Sequence, residues 1–568
     1  MLTLMETYQQ NAAAVGGTLW ISALVAALPL VVLFVMLGVF KVAAWKAALA
    51  TVVVTLALAM FVWRMPGAFA ASSTLEGLFF GICQIMWILI PAVWMYNLSV
   101  KQGWDRVLRD LLSGITKDLR VLAILIAFCF GALLEALAGF GTPVAITAAL
   151  LVAAGMKPLK SAVVCMLANT APVAFGAMGA PITVLGTSTA SVFGDGKLDP
   201  AHLAEVFGQM AGRQSPFMAV LVPLFLVFLV DGKRGLKDTW HIALAAGAIF
   251  AAVQFVGSNF VGYQITDVLA SVACILGILI ILRFVKPKNP VLAEFDHSAE
   301  QKTAAQLTTG GARVWGAIAP YVIIVIIFSI SQLPAVKSAI TAFAAEHLVI
   351  TWPGLEGCLN ATGSGPCVSP SINLWSVLST GTLLFLGGII TALAYRMGPG
   401  KAAGEFGHTV VTLKWTIVTI ACVLGLAYIM NASGITLSLG SGLAEGTGFA
   451  FAFLSPVLGW LGVAITGSDT SSNALFASMQ ANAAKGVWGA DSLSHQVLMI
   501  TSNSTGGCMG KMISPQSLSV AAAAAGMVNQ EGVIFRKVIG WSLVLLVIFA
   551  LLVVLQATVL TGMVPVPR

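Results

Sequence analysis

Apolar residues run through this chain in long unbroken blocks, not in the alternating or one-faced patterns of a soluble domain. Blocks close to the about 20 residues needed to cross a bilayer lie near 17–40, 43–63, 72–100, 216–230, 240–257, 266–285, 314–333, 372–395, 414–433 and 538–563. Two further stretches, 120–195 and 449–527, are as apolar but are cut by glycines and prolines into short pieces. Hydrocarbon tolerates broken backbone only where protein or a water-filled cavity surrounds it, so these two stretches read as a site and not as anchors. The pattern predicts an all-α polytopic membrane protein of about 12–14 membrane segments, with broken or re-entrant helices.

The two broken stretches resemble each other. Adding 334 to the residue number takes Glu135 to Asp469, Asn169 to Asn503, Gly176 to Gly510, Met178 to Met512 and Pro181 to Pro515 without a gap. The basic residues then set an orientation. Lys41 and Lys46, the group from Lys101 to Arg120, Lys233 to Lys237, Arg283 to Lys288, Arg396 to Lys414, and Arg536 with Lys537 all fall in the cytoplasm if the N-terminus is outside. On that count the first broken stretch enters from the cytoplasm and the second from the other side. Inverted repeats whose discontinuous helices meet near the midplane are a common way to build a transport site. The expected organisation is an N-terminal transmembrane half, 1–285, a polar cytoplasmic linker, 286–313, and a C-terminal half, 314–568.

Composition agrees: 58% of the 568 residues are hydrophobic and 9% charged, against about 25% charged in soluble domains, and the mean hydropathy is +0.96. The formal charge of +7 comes from Lys and Arg in short loops, which is the pattern of topology and not of a nucleic-acid surface. The chain has no Gly-rich loop ending in Lys-Ser or Lys-Thr, no His-Glu-x-x-His and no Gly-x-Ser-x-Gly elbow. It therefore reads as a carrier without catalytic residues, metal or cofactor, with lipid around it. Six cysteines lie in apolar stretches. Cys358 and Cys367 instead share a polar loop, where a disulfide is expected if that loop faces an oxidising compartment.

Candidate chemistry concentrates in the broken stretches. An ionisable group at membrane depth is a functional candidate by default, and Glu135 and Asp469 are the expected proton-coupling residues, with a helix cap as the plain reading of Asp469. Gly139, Gly141 and Thr142 precede one predicted helix, and Gly467 and Ser468 another. Helix starts of this kind suit a small anion, because unsatisfied N–H groups and the helix dipole both favour negative charge. Asn169, Thr170, Asn473, Asn503 and Ser504 offer amide and hydroxyl groups that either hold a substrate hydroxyl or bridge helices. Lys511 is the cation at the Gly-x-Met-x-x-Pro turn of the second broken element. It pairs with a substrate carboxylate or with Asp469, or it snorkels to the interface.

The blocks GFGTPVAITAALLVAAGMKPL (139–159), NTAPVAFGAMGAPI (169–182), GWLGVAITGSDTSSNALFASMQ (459–480) and STGGCMGKMISPQS (504–517) make the chain resemble the bacterial L-lactate permease family over nearly its whole length. It departs from the family pattern at Ala136-Leu137, at Thr142 and in the loop of Cys358 and Cys367. The resemblance implies a multi-pass carrier of the bacterial cytoplasmic (inner) membrane. Its expected cargo is L-lactate and related 2-hydroxymonocarboxylates such as glycolate and D-lactate, with the proton as coupling ion. A proton-translocating subunit of a respiratory complex is the alternative. It would place buried Lys and Glu across many helices, whereas here they are confined to two stretches. The oligomeric state is left open.

Overall fold

The computed structural model describes residues 7–40, 42–104, 107, 115–137, 139, 141–193, 198–287, 289–292, 311–331, 336, 338–339, 342, 349–361, 366–367, 371–373, 381–527 and 530–567. Its helices are α1 Leu19–Leu37, α2 Ala44–Phe61, α3 Gly67–Lys101, α4 Leu119–Leu137, α5 Thr142–Ala153, α6 Pro158–Ala168, α7 Gly176–Thr189, α8 Pro200–Val256, α9 Thr266–Phe284, α10 Gly311–Ser331, α11 Thr382–Ala394, α12 Pro399–Ser433, α13 Ile435–Thr447, α14 Phe451–Thr466, α15 Asp469–Trp488, α16 Leu493–Gly510, α17 Pro515–Ala524 and α18 Glu531–Thr558. Among the described residues nine helical stretches are long and apolar enough to cross a membrane, or ten if α6 and α7, bent by 64°, count as one broken span. One of the nine is itself a hairpin. In α8 the backbone leaves helical geometry at Asp231 and Gly232, and the second arm folds back so closely that a Cβ on Gly247 would lie 2.8 Å from the Ala219 carbonyl oxygen.

Local chemistry explains the ends. Asp118 caps α4 by accepting from the Arg120 backbone N–H at 3.0 Å, Ser468 caps α15 and Ser514 caps α17. Pro143, Pro158, Pro200 and Pro515 occupy first turns, where the missing N–H costs nothing. Some boundaries differ from the apolar blocks. The first arm of α8 starts at Pro200, well before 216, because Arg213 and Gln214 find partners inside the bundle (Asn259, and Gln556 with Thr505). Of the block 372–395, residues 372–373 belong to a strand and Thr382–Ala394 to a helix, and 374–380 lie outside the described residues. Helix α13 lies in a stretch too rich in Gly, Ser and Thr to show as a block. Of the linker 286–313, residue 288 and residues 293–310 lie outside the described residues. Its visible start docks on α4, with Leu119 N–H donating to the Val291 carbonyl.

The first broken element starts where fully buried Arg120 joins Asp118 (2.7 Å), Asp231 (3.1 Å) and Asp238 (3.6 Å). Helix α4 runs in to residue 137, α5 starts at Thr142 after the positive-φ Gly139 and Gly141, and it returns beside α4. The turn 154–157 comes back to the starting face, where Lys160 Nζ donates to the Val230 carbonyl next to the α8 bend. The chain then re-enters through α6, breaks at 169–175 and continues through α7. That helix ends against the start of α8, where a Cβ on Gly186 would lie 2.4 Å from the Pro200 carbonyl.

The second element repeats this path from the other face. Helix α14 runs in, the chain breaks at Gly467 and Ser468, and α15 returns. Its end reaches Phe449, which meets the Trp488 ring at 6.2 Å. The turn 489–492 is followed by His495, whose Nε2 lies 3.2 Å from the Ala557 carbonyl at the far end of α18. Helix α18 runs antiparallel to the first arm of α8, with Trp541 against Phe225 and Gln556 against Gln214. Its start therefore shares the Arg120 face and its end the opposite one. The two hairpins are inserted from opposite faces. They also exchange partners as a pseudo-two-fold axis requires: α5 packs on α17 and α7 on α15.

The 334 shift holds at the second break of each element. Gly176, Met178 and Pro181 take the same step from broken backbone into a proline-led helix as Gly510, Met512 and Pro515. It fails at the first break. Glu135 precedes its tip and Asp469 follows its own, because α15 and α16 have 20 and 18 residues where α5 and α6 have 12 and 11. One gapless shift cannot register both breaks.

Helices α14 and α16 approach more closely than any side chain allows. A Cβ on Gly459, Gly506 or Gly510 would sit 2.0, 2.3 or 2.2 Å from the carbonyls of Asn503, Pro456 and Trp460. Small residues that admit backbone-to-backbone contact are what hold helices together in lipid. Gly459→Val is expected to separate this pair, at a cost on the order of 1–3 kcal/mol or more. Thermal unfolding in detergent measures it, and an unchanged midpoint would show that the pair does not rely on this contact.

At the N-terminus, strand β1 (Tyr8–Gln9) pairs parallel with β3 (Cys358–Leu359), and β2 (Val349–Thr351) pairs antiparallel with β4 (Ser371–Asn373). Cys358 and Cys367 are disulfide-bonded, and the Tyr8 hydroxyl donates to the Ser433 carbonyl at 2.7 Å. Burial raises the pKa of that phenol.

Candidate functional site

The four breaks converge. Glu135 from the end of α4 and Lys511 from the second break of the other element meet with Oε1 and Nζ 3.6 Å apart, both almost fully buried. Around them Gly139, Val173, Gly176, Ala177, Pro181, Gly467, Ser468, Asp469 and Thr470 close a cavity of about 20 Å³, room for one water-sized molecule. The breaks exist to make this space. Ala177, Met178 and Gly179 are held at positive φ, and a Cβ on Gly176 would stand 3.0 Å from Glu135 Oε1. Gly467 takes φ +74° to turn the chain between α14 and α15.

Charge in this space is under-compensated. Asp469 is buried and accepts a hydrogen bond from the Ser504 hydroxyl at 2.5 Å on Oδ2, while Oδ1 has no partner. Glu135 Oε2 also has none. Two carboxyl groups therefore face one ammonium. Asp469 is moreover in the first turn of α15, where the helix dipole adds to the field on its charge.

The candidate residues separate accordingly. Glu135, Gly139, Gly467, Ser468, Asp469 and Lys511 line the cavity, and Ser504 touches it through Asp469. Lys511 pairs with Glu135 and not, as one alternative had it, directly with Asp469, because the tip of the first hairpin carries Glu135 to it. Gly141 (φ +85°) makes the turn into α5 but faces Val520 on α17, with a Cβ contact of 3.5 Å. Thr142 opens α5, and its side chain is outside what is described. Thr170 caps its own helix by donating to the Leu167 carbonyl. Asn473 and Asn503 bond to each other at 2.7 Å, and Asn473 also donates to the Pro181 carbonyl, so this pair fastens α15 to the first element's break. Asn169 is buried with neither amide atom partnered, yet lies outside the cavity lining.

A much larger space leads to the site. A vestibule of about 1020 Å³ runs from Trp45, Trp415, Glu531 and Phe535 to Ser471, Gln516 and the hairpin tip Gly467–Ser468, which it shares with the small cavity. Its mouth lies at the start of α18, on the Arg120 face. Trp45 and Trp415 stack there at 4.5 Å, with Lys46 and Lys414 over their rings.

Besides Asp118 and Glu405, which pair with Arg120 and Lys101, sequence reasoning passed over two further buried carboxyl groups. Asp267 sits one residue inside the block 266–285, and Glu76 lies within the block 72–100, with Oε2 unpartnered. An acid inside an apolar run was the available signal in both.

A profile of the L-lactate permease family matches residues 22–560. The chain belongs to the L-lactate permease family. Its relatives include the glycolate permease GlcA and the L-lactate permease of Escherichia coli K12, each 39% identical, covering 98% and 99% of this chain and 100% of each of those proteins. The L-lactate permease of Bacillus subtilis is 38% identical over 97% of this chain and 98% of that one. Among solved structures, the efflux pump MtrF of Neisseria gonorrhoeae overlays with a TM-score of 0.43 at 14% identity (85% and 83% covered), and the YdaH transporter of Alcanivorax borkumensis with 0.32 at 16% (81% and 90% covered). This permease is thus a multi-pass membrane transporter and not an enzyme.

Proposed function

We propose that this chain carries L-lactate and related 2-hydroxymonocarboxylates, glycolate and D-lactate included, inward with protons across the bacterial cytoplasmic membrane, with no cofactor. The observation that supports it best is the charge count of the cavity: two carboxyl groups, Glu135 and Asp469, and one ammonium, Lys511. A substrate anion entering with both carboxylates ionised is repelled, because in a water-poor site like charges interact strongly. Protonating one of them leaves Lys511 free to receive the substrate carboxylate. Anion and proton then bind together, which is the linkage a symporter needs. The substrate hydroxyl is placed against Ser468 and Thr470 at the start of α15.

The basic face is cytoplasmic on this reading, as the positive-inside rule requires, and the N-terminus is outside. The vestibule then makes the structure inward-facing. The small cavity does not hold a hydroxy acid, so binding must part the hairpin tips, and the two oppositely inserted hairpins provide the alternating gates.

The test uses purified protein in vesicles. Labelled L-lactate is expected to accumulate about tenfold for each pH unit of imposed gradient and each coupled proton, and glycolate to compete. Counterflow without any response to the gradient would remove the proton from the mechanism. Absence of lactate and glycolate counterflow alike would remove the substrate.

A further inference from the structure

Asp267 is a fully buried carboxyl group that the site described above does not use. It lies in the first turn of α9, whose other end carries Arg283 on the basic face, so Asp267 is near the opposite face. Its Oδ1 accepts from Gln254 Nε2 at 2.9 Å on the second arm of α8. Its Oδ2 and Gln254 Oε1 have no partner. Among the described residues no Lys, Arg or His forms an ion pair with it. A carboxyl group buried without a cation is most stable as the neutral acid.

Its neighbours connect it to the site. Helix α9 packs along the end of α4, the turn that carries Glu135. On the outward side the ionisable groups among the described residues include Tyr263, whose hydroxyl meets Thr183 at 3.0 Å, and Arg213, whose Nε donates to Asn259 between Gln254 and Asp267. The vestibule reaches the Glu135–Lys511 pair through Gly467 and Ser468 from the basic face, while α9 brings Asp267 against the end of α4 from the other. Glu135 Oε2 and Asp267 Oδ2 are both buried and unpartnered.

We propose that Asp267 is a second proton station, which exchanges a proton with Glu135 and connects it to the face opposite the vestibule. This rests on the proton-coupled reading above. In the step, the Asp267 O–H bond breaks and an O–H bond forms on Glu135, so that acid plus carboxylate becomes carboxylate plus acid and no other bond changes. Asp267 is reloaded from water at the opposite face. Gln254 is a positioning residue that holds Oδ1 and leaves Oδ2 free.

The experiment compares counterflow, which needs no net proton movement, with uptake driven by a pH gradient, in vesicles holding the full chain and labelled L-lactate. Asp267→Asn is expected to lower gradient-driven accumulation at least about tenfold more than it lowers counterflow, a selective loss of one proton-transfer path. Asp267→Glu is expected to restore accumulation. If the parent chain exchanges lactate but ignores the gradient, the coupled reading fails and takes the station with it. If the parent accumulates and Asp267→Asn accumulates equally, only the station is overturned. If Asp267→Asn loses both activities, Gln254→Met decides, because it keeps the carboxyl group and removes an amide that favours its charged form. The station then requires the pH midpoint of uptake to rise by about half a unit or more, and an unmoved midpoint overturns it.

Discussion

Lys511→Met is expected to reduce L-lactate counterflow and gradient-driven uptake together by about two to three orders of magnitude, the equivalent of the ~3–5 kcal/mol lost when one partner of a buried ion pair is removed. The lysine ends a helix and enters a 3-10 turn at the second break, with its ammonium 3.6 Å from Glu135 and the Asp469 carboxyl group on the same cavity wall. Without it Glu135 and Asp469 face each other with no cation, and an incoming carboxylate makes a third acid. Lys511→Arg keeps the charge, but its larger planar group does not fit a cavity of about 20 Å³, so partial activity is expected. The double variant Glu135→Gln/Lys511→Met separates structure from function. It removes both charges, so thermal stability should return toward the parent while transport stays absent. Counterflow within about twofold of the parent in Lys511→Met, well below the tenfold that ~1.4 kcal/mol represents, would show that the substrate carboxylate is held elsewhere.

Much of this site was legible in the chain because lipid forbids most of its ingredients. Glycines, prolines and acids inside apolar stretches have few structural excuses, so Glu135, Asp469 and the breaks around Gly139, Gly467 and Gly510 announced themselves. Lys511 was visible as the nearest cation, but its partner was not. A gapless comparison aligns Glu135 with Asp469, whereas in space Glu135 reaches the opposite element across the tip of its own hairpin. The amides could not be sorted by type or spacing. Asn503 donates to Asn473 and the pair clamps two elements, while Asn169, of the same residue type, is left with no partner. Asp267 escaped because an acid at the end of an apolar block is ordinary when it faces the interface. Only packing against α4 and α8 shows that this one faces inward. The two arms of α8 showed as the blocks 216–230 and 240–257, but the early start of the first at Pro200 was hidden for a related reason, since Arg213 and Gln214 interrupt hydropathy yet hydrogen-bond to partners far along the chain.

Glu135→Gln tests the coupling itself and is the sharper of the carboxyl variants. Glutamine keeps the size of the side chain that Gly176 is shaped around, where a Cβ would stand 3.0 Å from Oε1, but it cannot exchange a proton. With the amide in place the cavity holds one carboxyl group, Asp469, and one ammonium, so Lys511 can receive a substrate carboxylate without prior protonation of Glu135. Exchange of L-lactate is therefore expected to persist. Uphill accumulation under an imposed pH gradient is expected to fall by about tenfold or more, to the level of equilibration, since each proton lost from the cycle removes ~1.4 kcal/mol per pH unit of drive. Asp469→Asn differs in kind. The Ser504 hydroxyl donates to Asp469, and Asp469 opens the helix whose start faces the vestibule, so this variant is expected to weaken substrate affinity as well as coupling. If Glu135→Gln still accumulated lactate as the parent does while Asp469→Asn did not, the proton would ride on Asp469, and Glu135 would serve only to hold Lys511 in position between the two hairpin tips.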